Sequence, residues 1–148
     1  IRKMENRAKL NSKKVLINFQ KKVIKNRIKL TALLTKLKKM GKKIIILSAP
    51  AKGMTLLNYC KIDNDFVEYA TEKSSIKQNL YTPGGNIPVY SDDKILKSKP
   101  DYALLLAWNF SKEIINNNIQ YLKKGGKFII PIPNIKIISR KKNEKNKN

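Results

Sequence analysis

The segment from Ser48 to Cys60 gives the strongest chemical signal in the chain. It reads Ser-Ala-Pro-Ala-Lys-Gly-Met-Thr-Leu-Leu-Asn-Tyr-Cys and follows an apolar run, Ile44–Leu47, that has the composition of a buried strand. A strand, a loop of small residues and a helix in this order present the helix N-terminus to an anion. Lys52 adds a positive charge at the place where a phosphate would lie. We therefore predict that this segment holds a phosphorylated or nucleotide-like ligand.

Further candidate contacts follow the other predicted strands, because parallel strands place their carboxyl ends on one edge of a sheet. In chain order, the residues at these ends are Ser48, Lys52, Gly53, Thr55, Glu72, Lys73, Lys77, Trp108, Asn109, Pro131 and Pro133. Some have a purely structural alternative. The glycine can serve only the turn into the helix, and the tryptophan can close the edge of the core instead of stacking on a base or a sugar.

Residue types that the chain lacks exclude several kinds of site. With one cysteine and no histidine, the chain cannot form a Cys/His metal site, a Ser-His-Asp triad or a Cys-His pair, so we assign no metal ligand. The dinucleotide motif G-x-G-x-x-G is absent, since Ile46, Ser48 and Ala51 stand where glycines are needed. Lys52 precedes Gly53, which is the reverse of a Walker sequence. Bound NAD or ATP is therefore not expected.

The formal charge of +23 suggests a nucleic-acid partner, but the kind of basic residue argues against one. The chain has 29 lysines and four arginines, together with 16 asparagines and 20 isoleucines. Lys, Asn and Ile share A/T-rich codons, so a compositionally biased genome accounts for all three. Specific readers of nucleic acids use arginine forks and stacked aromatics, and neither is concentrated here. We expect no specific nucleic-acid partner, and only weak, salt-sensitive binding to polyanions.

The distribution of apolar residues predicts no membrane segment. No run approaches the roughly 18 apolar residues that a membrane helix needs. Cys60, at the end of an apolar helical pattern, is expected to be a buried small hydrophobe rather than a reactive thiol. A single unpaired cysteine fits a reducing, cytoplasmic location.

The periodicity of the apolar residues predicts an α/β fold. A helical pattern from about Lys13 to Met40 ends at Gly41, where a C-cap glycine belongs. After it, strands and helices alternate. The predicted strands are Ile44–Leu47, Phe66–Thr71, Ile87–Tyr90, Tyr102–Ala107 and Lys127–Pro131, and the predicted helical segments are Met54–Cys60, Asp92–Leu96 and Ser111–Leu122.

The continuously apolar strands are typical of a sheet covered on both faces. The sequence therefore predicts a Rossmann-like three-layer sandwich with a mostly parallel sheet, preceded by a long N-terminal amphipathic helix. We divide the chain into residues 1–40, a helix that packs on the body or links it to something upstream, residues 41–139, the Rossmann-like domain, and residues 140–148, a disordered basic tail.

Several short blocks, taken in order and spacing, resemble one family. They are Gly41–Ile44, Ala49–Gly53, Thr55–Cys60, Lys77–Gln78, Pro83–Gly84, Ile87–Pro88, Pro100–Tyr102, Trp108–Phe110 and Gly125–Ile129. The set resembles the C-terminal domain of the S-adenosylmethionine-dependent C-methyltransferases that act on nucleotide-linked deoxysugars and related substrates. The resemblance covers roughly residues 13–138.

The resemblance implies that different domains of the enzyme carry out methyl transfer and substrate binding. In that family, a zinc-binding segment and a methyl-donor domain with the cofactor glycines and a His-Glu-His segment lie upstream, so S-adenosylmethionine is expected in the full-length enzyme and not on this chain alone. No catalytic residue is assigned here. The C-terminal domain closes over the nucleotide-sugar substrate, and the partner is the upstream domain, in cis or in trans. On this sequence the implied substrate-binding residues are Lys52, Gly53, Thr55, Lys77, Pro83, Gly84, Trp108 and Asn109.

The chain departs from the family pattern at its first loop, where Ile46-Leu47-Ser48-Ala49 replaces the usual Gly-aromatic-Gly-Ala. Glu72 also stands in place of the usual Asp, Asn79 in place of a common Gly, and Asn86 in place of a common His. These departures leave a second hypothesis open, a stand-alone, non-catalytic Rossmann-like module that binds a nucleotide or a protein. A nucleic-acid-binding protein, supported by charge alone, is a third.

Overall fold

The computed structural model describes residues 1–7, 9, 10 and 12–140, and the backbone but not the side chain of Asn6. This part of the chain contains six α-helices, six strands and two short 3₁₀ turns, Ser75–Lys77 and Trp108–Phe110. The helices are α1 (Arg2–Arg7), α2 (Lys13–Lys39), α3 (Ala51–Cys60), α4 (Lys94–Ser98), α5 (Ser111–Asn117) and α6 (Ile119–Lys123). The strands are β1 (Ile44–Leu47), β2 (Ala70–Thr71), β3 (Val89–Tyr90), β4 (Tyr102–Leu105), β5 (Lys127–Ile130) and β6 (Lys136–Ile138).

The six strands form one sheet in the order β3-β2-β1-β4-β5-β6. The first five are parallel, and β6 runs antiparallel to β5. Both faces are covered, which confirms the mostly parallel, three-layer α/β architecture that the sequence predicts. The strands β1 and β4 at the centre are buried at every position.

The two faces of the sheet have separate apolar cores. On one face, leucines of α2 and α3 pack against Ile44 and Ile46 of β1, Leu104 of β4, Leu106 just after β4, and Ile129 of β5. On the other face, residues of α4, α5 and α6 pack against Ile45, Leu47, Ala103, Leu105 and Phe128. Because successive strand residues point to opposite faces, a strand that is covered twice must be apolar throughout.

The long helix α2 is packed on the sheet along its C-terminal half only. Leu30, Leu34 and Leu37 are at most 4% exposed and belong to the core, whereas Phe19 in the N-terminal half is 66% exposed. Gly41 follows with φ of +68°, the left-handed conformation that ends a helix at low cost for glycine. The predicted helix over 13–40 is thus found over Lys13–Lys39.

Several sequence-based boundaries need correction. The predicted strand Phe66–Thr71 is only Ala70–Thr71, because Phe66 lies in a turn. The backbone N–H of Phe66 donates to the carbonyl of Asp63. The predicted helix Ser111–Leu122 is broken at Asn118, whose side-chain amide donates to the Ile114 carbonyl at 2.8 Å and ends α5. The predicted strands at Ile87, Tyr102 and Lys127 are each one or two residues shorter.

Neither α1 nor the edge strand β6 is predicted from the sequence. The strand β6 is short, follows two prolines, and has Lys136 and Ile137 exposed, so it lacks the apolar run of the central strands. Apart from Arg140, the predicted tail 140–148 lies outside the described residues. No helix in the described part of the chain has both the length and the apolar composition needed to cross a bilayer.

Candidate functional site

The strand order places a crevice at the carboxyl edge between β1 and β4. From β1, the chain crosses through α3 to β2 on one side, while β4 pairs on the other side of β1 and continues to β5. Ligands of open α/β sheets bind outside the carboxyl ends of the strands at such a switch point. The residues that follow β1 and β4 are therefore those most able to contact a common ligand.

Helix α3 begins at Ala51, three residues before the predicted start at Met54. Pro50 precedes it in an extended conformation, with φ of −71° and ψ of 154°, and accepts a hydrogen bond from the Gly53 N–H at 2.8 Å. Lys52 and Gly53 consequently belong to the first helical turn, not to a loop. The early backbone N–H groups of α3 point toward the crevice edge, as an anion site requires.

Lys52 packs on the aromatic residues that follow β4. Its Nζ lies 4.8 Å from the ring centroid of Trp108 and 5.9 Å from that of Phe110. Both aromatics belong to a 3₁₀ turn, Trp108–Phe110, that also holds the exposed Asn109. The structure thus brings Lys52, Trp108 and Asn109 together from two neighbouring strands. Cation–π contact of this kind holds the ammonium over the turn without neutralising its charge.

Phe110 is a further candidate for this site, and the sequence analysis does not include it among the substrate-binding residues. It is 61% exposed, although it is a large apolar side chain. The available signal was its place two residues after Trp108, directly behind a predicted strand. Exposed aromatics beside a cation are the surfaces on which bases and sugars stack.

Gly53 has a structural role that the geometry makes explicit. A Cβ built on it would lie 2.8 Å from Cβ and 2.9 Å from Cδ1 of Leu106, which is fully buried behind β4. Glycine therefore allows α3 to approach the sheet closely. This position is buried, so its side of the helix faces the core.

Lys77 reaches the same edge from the segment after β2. Its Nζ lies 3.4 Å from Glu72 Oε2 and 3.4 Å from the carbonyl oxygen of Ala49, in the loop that follows β1. The Glu72 carboxylate also accepts a hydrogen bond from the Lys73 N–H at 3.0 Å. Lys77 therefore links two loops of the crevice, and an anionic ligand would have to compete with Glu72 for it.

Ser48 makes the turn out of β1 in a left-handed conformation, with φ of +63°. The family pattern has glycine here, and a non-glycine residue in this conformation costs about 1 kcal/mol. Ile46, at the other departure, is a fully buried strand residue whose side chain belongs to the core. The loop keeps the conformation that glycine favours, but Ser48 adds a side chain at the crevice.

Pro83 and Gly84 are not brought to this edge. They lie in the turn between Thr82 and Ile87, whose hydrogen bonds close a hairpin at the amino end of β3. A Cβ on Gly84 would meet Oδ1 of Asn58, in the last turns of α3. Along α3, Asn58 is about 9 Å from Lys52, at 1.5 Å per residue. Thr55 is exposed one turn after Lys52, between Lys52 and Asn58 on α3.

Comparison with known proteins identifies the family. The family model described as the C-methyltransferase C-terminal domain matches residues 1–133. The chain belongs to the C-methyltransferase C-terminal domain family. It is similar to the C-methyltransferase NovU of Streptomyces niveus, with 39% identity over 99 residues, which are 67% of this chain and 24% of that protein. The chain thus spans about a quarter of the length of this curated relative.

The chain is also similar to a solved structure, the UDP-D-quinovosamine 4-dehydrogenase of Vibrio fischeri. The superposition has a TM-score of 0.46 and 21% identity and covers 67% of this chain and 94% of that chain.

Proposed function

We propose that this C-methyltransferase C-terminal domain binds the diphosphate and the nucleoside of a nucleotide-linked keto-deoxysugar at the crevice between β1 and β4. The observation that supports this most directly is the placement of Lys52. It stands in the first turn of α3 and against Trp108, so one cation, free backbone N–H groups and an aromatic surface meet at one edge. Phosphate oxygens suit the first two, and a base or sugar ring suits the third.

We further propose that the methyl group comes from S-adenosylmethionine held by an upstream methyl-donor domain, in cis or in trans. The residues of this chain do not fit that cofactor. Its first loop lacks the glycines of a nucleoside cradle, with Ser48 at the turn and Ile46 packed in the core. In the whole enzyme, a carbon beside a keto group would be deprotonated and methylated. The buried, unpaired Cys60 suits the cytoplasmic location that we propose for this reaction.

The contribution of this chain to that reaction is binding and orientation. Lys52 would hold a phosphate oxygen, and Trp108 and Phe110 would cover the ring beside it. Fixing the substrate relative to a second domain converts an encounter of two molecules into a reaction within one complex. A cover of aromatic side chains also keeps water from a reactive carbanion.

The test is a calorimetric titration of the protein with UDP-glucose and dTDP-glucose. We expect Lys52→Ala to weaken binding about tenfold, since a charge-assisted contact to phosphate at a partly exposed site is worth about 1.4 kcal/mol. Lys43→Ala is the matched control, because it removes the same charge from an exposed position just before β1, at the opposite edge of the sheet. Equal losses in both variants would mean non-specific attraction, and unchanged affinity in Lys52→Ala would remove Lys52 from the site.

A further inference from the structure

A concave surface lies between α2 and α3, beside the segment that follows β5. We name it the α2–α3 groove. It has a volume of about 290 Å³, and its lining includes Phe19, Val23, Asn26, Arg27, Tyr59 and Pro133. Its floor is apolar, and Arg27 forms one wall by packing its guanidinium 5.2 Å from the ring centroid of Tyr59. Of the candidate contacts at the strand ends, Pro133 lines this groove, whereas Lys52, Trp108 and Asn109 do not.

The apolar floor continues the core-facing stripe of α2 beyond the body of the domain. Leu30, Leu34 and Leu37 are buried, and the same side of the helix carries Val23 about two turns and Phe19 about three turns before Leu30. Apolar side chains at these spacings form a surface that is complete only when something packs on it. Phe19, 66% exposed, is the most open of them.

A polar atom in the groove also lacks a partner. The Asn26 amide donates to the carbonyl oxygens of Pro131 and Pro133, at 2.9 and 3.2 Å, which fixes the orientation of the amide. Its Oδ1 is buried and accepts no hydrogen bond from the described residues. The two hydrogen bonds join the middle of α2 to the segment after β5, so this wall of the groove is held in place.

Every charged residue at the rim of the groove is basic. Lys22 and Arg27 line the groove, and Lys25 and Lys29 line the adjoining cleft beside Asn26. Residues 6–62 contain no Asp or Glu, although the chain has ten acidic residues in total. The two ion pairs found among the described residues, Lys42–Asp101 and Lys77–Glu72, lie elsewhere. A surplus of lysine can follow from codon bias, but the exclusion of all ten acids from this region cannot.

We infer that the α2–α3 groove binds an amphipathic helix of a protein partner that has apolar side chains on one face and carboxylates on its flanks. The apolar face would fill the floor over Phe19 and Val23, and the carboxylates would meet the lysines of the rim. This is the helix-in-groove mode of recognition. It does not depend on the ligand proposed for the crevice.

Other occupants suit the groove less well. A nucleic acid would match the rim but would leave the apolar floor in contact with phosphates and water. A helix that lies in a bilayer surface gathers its apolar residues on one face, whereas α2 also exposes Ile24 and Ile28 on a different side. A second copy of this chain would bring two basic rims together, and like charges oppose that contact.

The test uses two synthetic helical peptides of about 18 residues, or five turns. They share one Leu/Phe face and differ in carrying Glu or Gln on the flanks. Fluorescence anisotropy at about 150 mM salt should show the Glu peptide binding at least about tenfold more tightly than the Gln peptide. Phe19→Ala should weaken the Glu peptide about tenfold, as loss of a central anchor does. Ile28→Ala, 61% exposed on the same helix but outside the groove, should change it less than about twofold.

A charge reversal provides the second variant. Lys25 is exposed on the rim. Lys25→Glu should weaken binding of the Glu peptide, and circular dichroism should show the helix content of the protein unchanged. Failure of the Glu peptide to bind, equal affinity for both peptides, or equal losses in Phe19→Ala and Ile28→Ala would each overturn the proposal. So would dimerisation, or binding of an oligonucleotide or of phosphatidylserine vesicles, that is lost in Phe19→Ala.

Discussion

The contact of Gly53 with Leu106 makes a prediction in which two effects of opposite sign compete. In a helix, replacing glycine by alanine usually stabilises the protein by about 1 kcal/mol. In Gly53→Ala, however, the new Cβ would lie 2.8 Å from Cβ of Leu106. The neighbouring atom is next to the backbone of a fully buried residue, so it cannot rotate away. Overpacking of this kind costs about 1–3 kcal/mol. The difference is a net loss of up to about 2 kcal/mol.

Urea unfolding followed by circular dichroism measures this difference. The control is Ala51→Gly, an exposed position in the same helical turn, which reports the helix-propensity effect alone. The midpoint of unfolding should fall in both variants, and in Gly53→Ala it should fall although propensity favours alanine. If Gly53→Ala is more stable than the parent protein, the close approach of α3 to β4 is wrong, and the interpretation of Gly53 as a packing residue fails with it.

Two further predictions concern polar groups. The Asp101 carboxylate accepts hydrogen bonds from the Lys43 N–H at 2.9 Å and from Lys42 Nζ at 3.0 Å. These bonds outweigh the effect of desolvation, so the pKa of Asp101 is lowered. The carboxylate therefore stabilises the fold above its unfolded pKa, and this contribution is lost as the pH falls through the folded pKa. Urea midpoints measured from pH 6 down to about pH 3 should therefore fall less in Asp101→Asn than in the parent protein, and equal slopes would contradict this. Thr71 is fully buried and its Oγ1 has no hydrogen-bond partner among the described residues, so Thr71→Val should leave stability unchanged or raise it by up to about 1 kcal/mol. A loss of more than about 1 kcal/mol in thermal unfolding would show that the hydroxyl has a partner after all.

The parts of the fold that could be predicted are those in which one pattern decides the outcome. The run Ile44–Leu47 is apolar at every position, and a strand buried on both faces must be so. The strand β6 could not be predicted in this way, because an edge strand with exposed positions has no such requirement. The length of β2 was overestimated, because apolar Phe66 lies in a turn that Asp63 closes through the backbone, a contact that hydrophobicity does not encode.

The candidate site was also predictable only in part. The convergence of Lys52 and Trp108 followed from the rule that carboxyl ends of parallel strands share an edge, and the structure brings them to 4.8 Å. Pro83 and Gly84 were grouped with them through the resemblance alone, yet they sit in a hairpin turn at the amino end of β3. The direction in which that hairpin returns to the sheet depends on tertiary pairing, here between Tyr81 and Pro88. Local sequence does not specify such a pairing.

The position of Trp108 has an experimental consequence. It is the single tryptophan of the chain, and Lys52 Nζ lies over its ring. The intrinsic fluorescence of the protein is therefore dominated by one indole at the edge of the crevice. Any group that draws the ammonium away from the ring, or stacks in its place, alters the electric field and the solvent contact of that indole. The crevice thus contains its own optical reporter, and occupancy can be followed without a label.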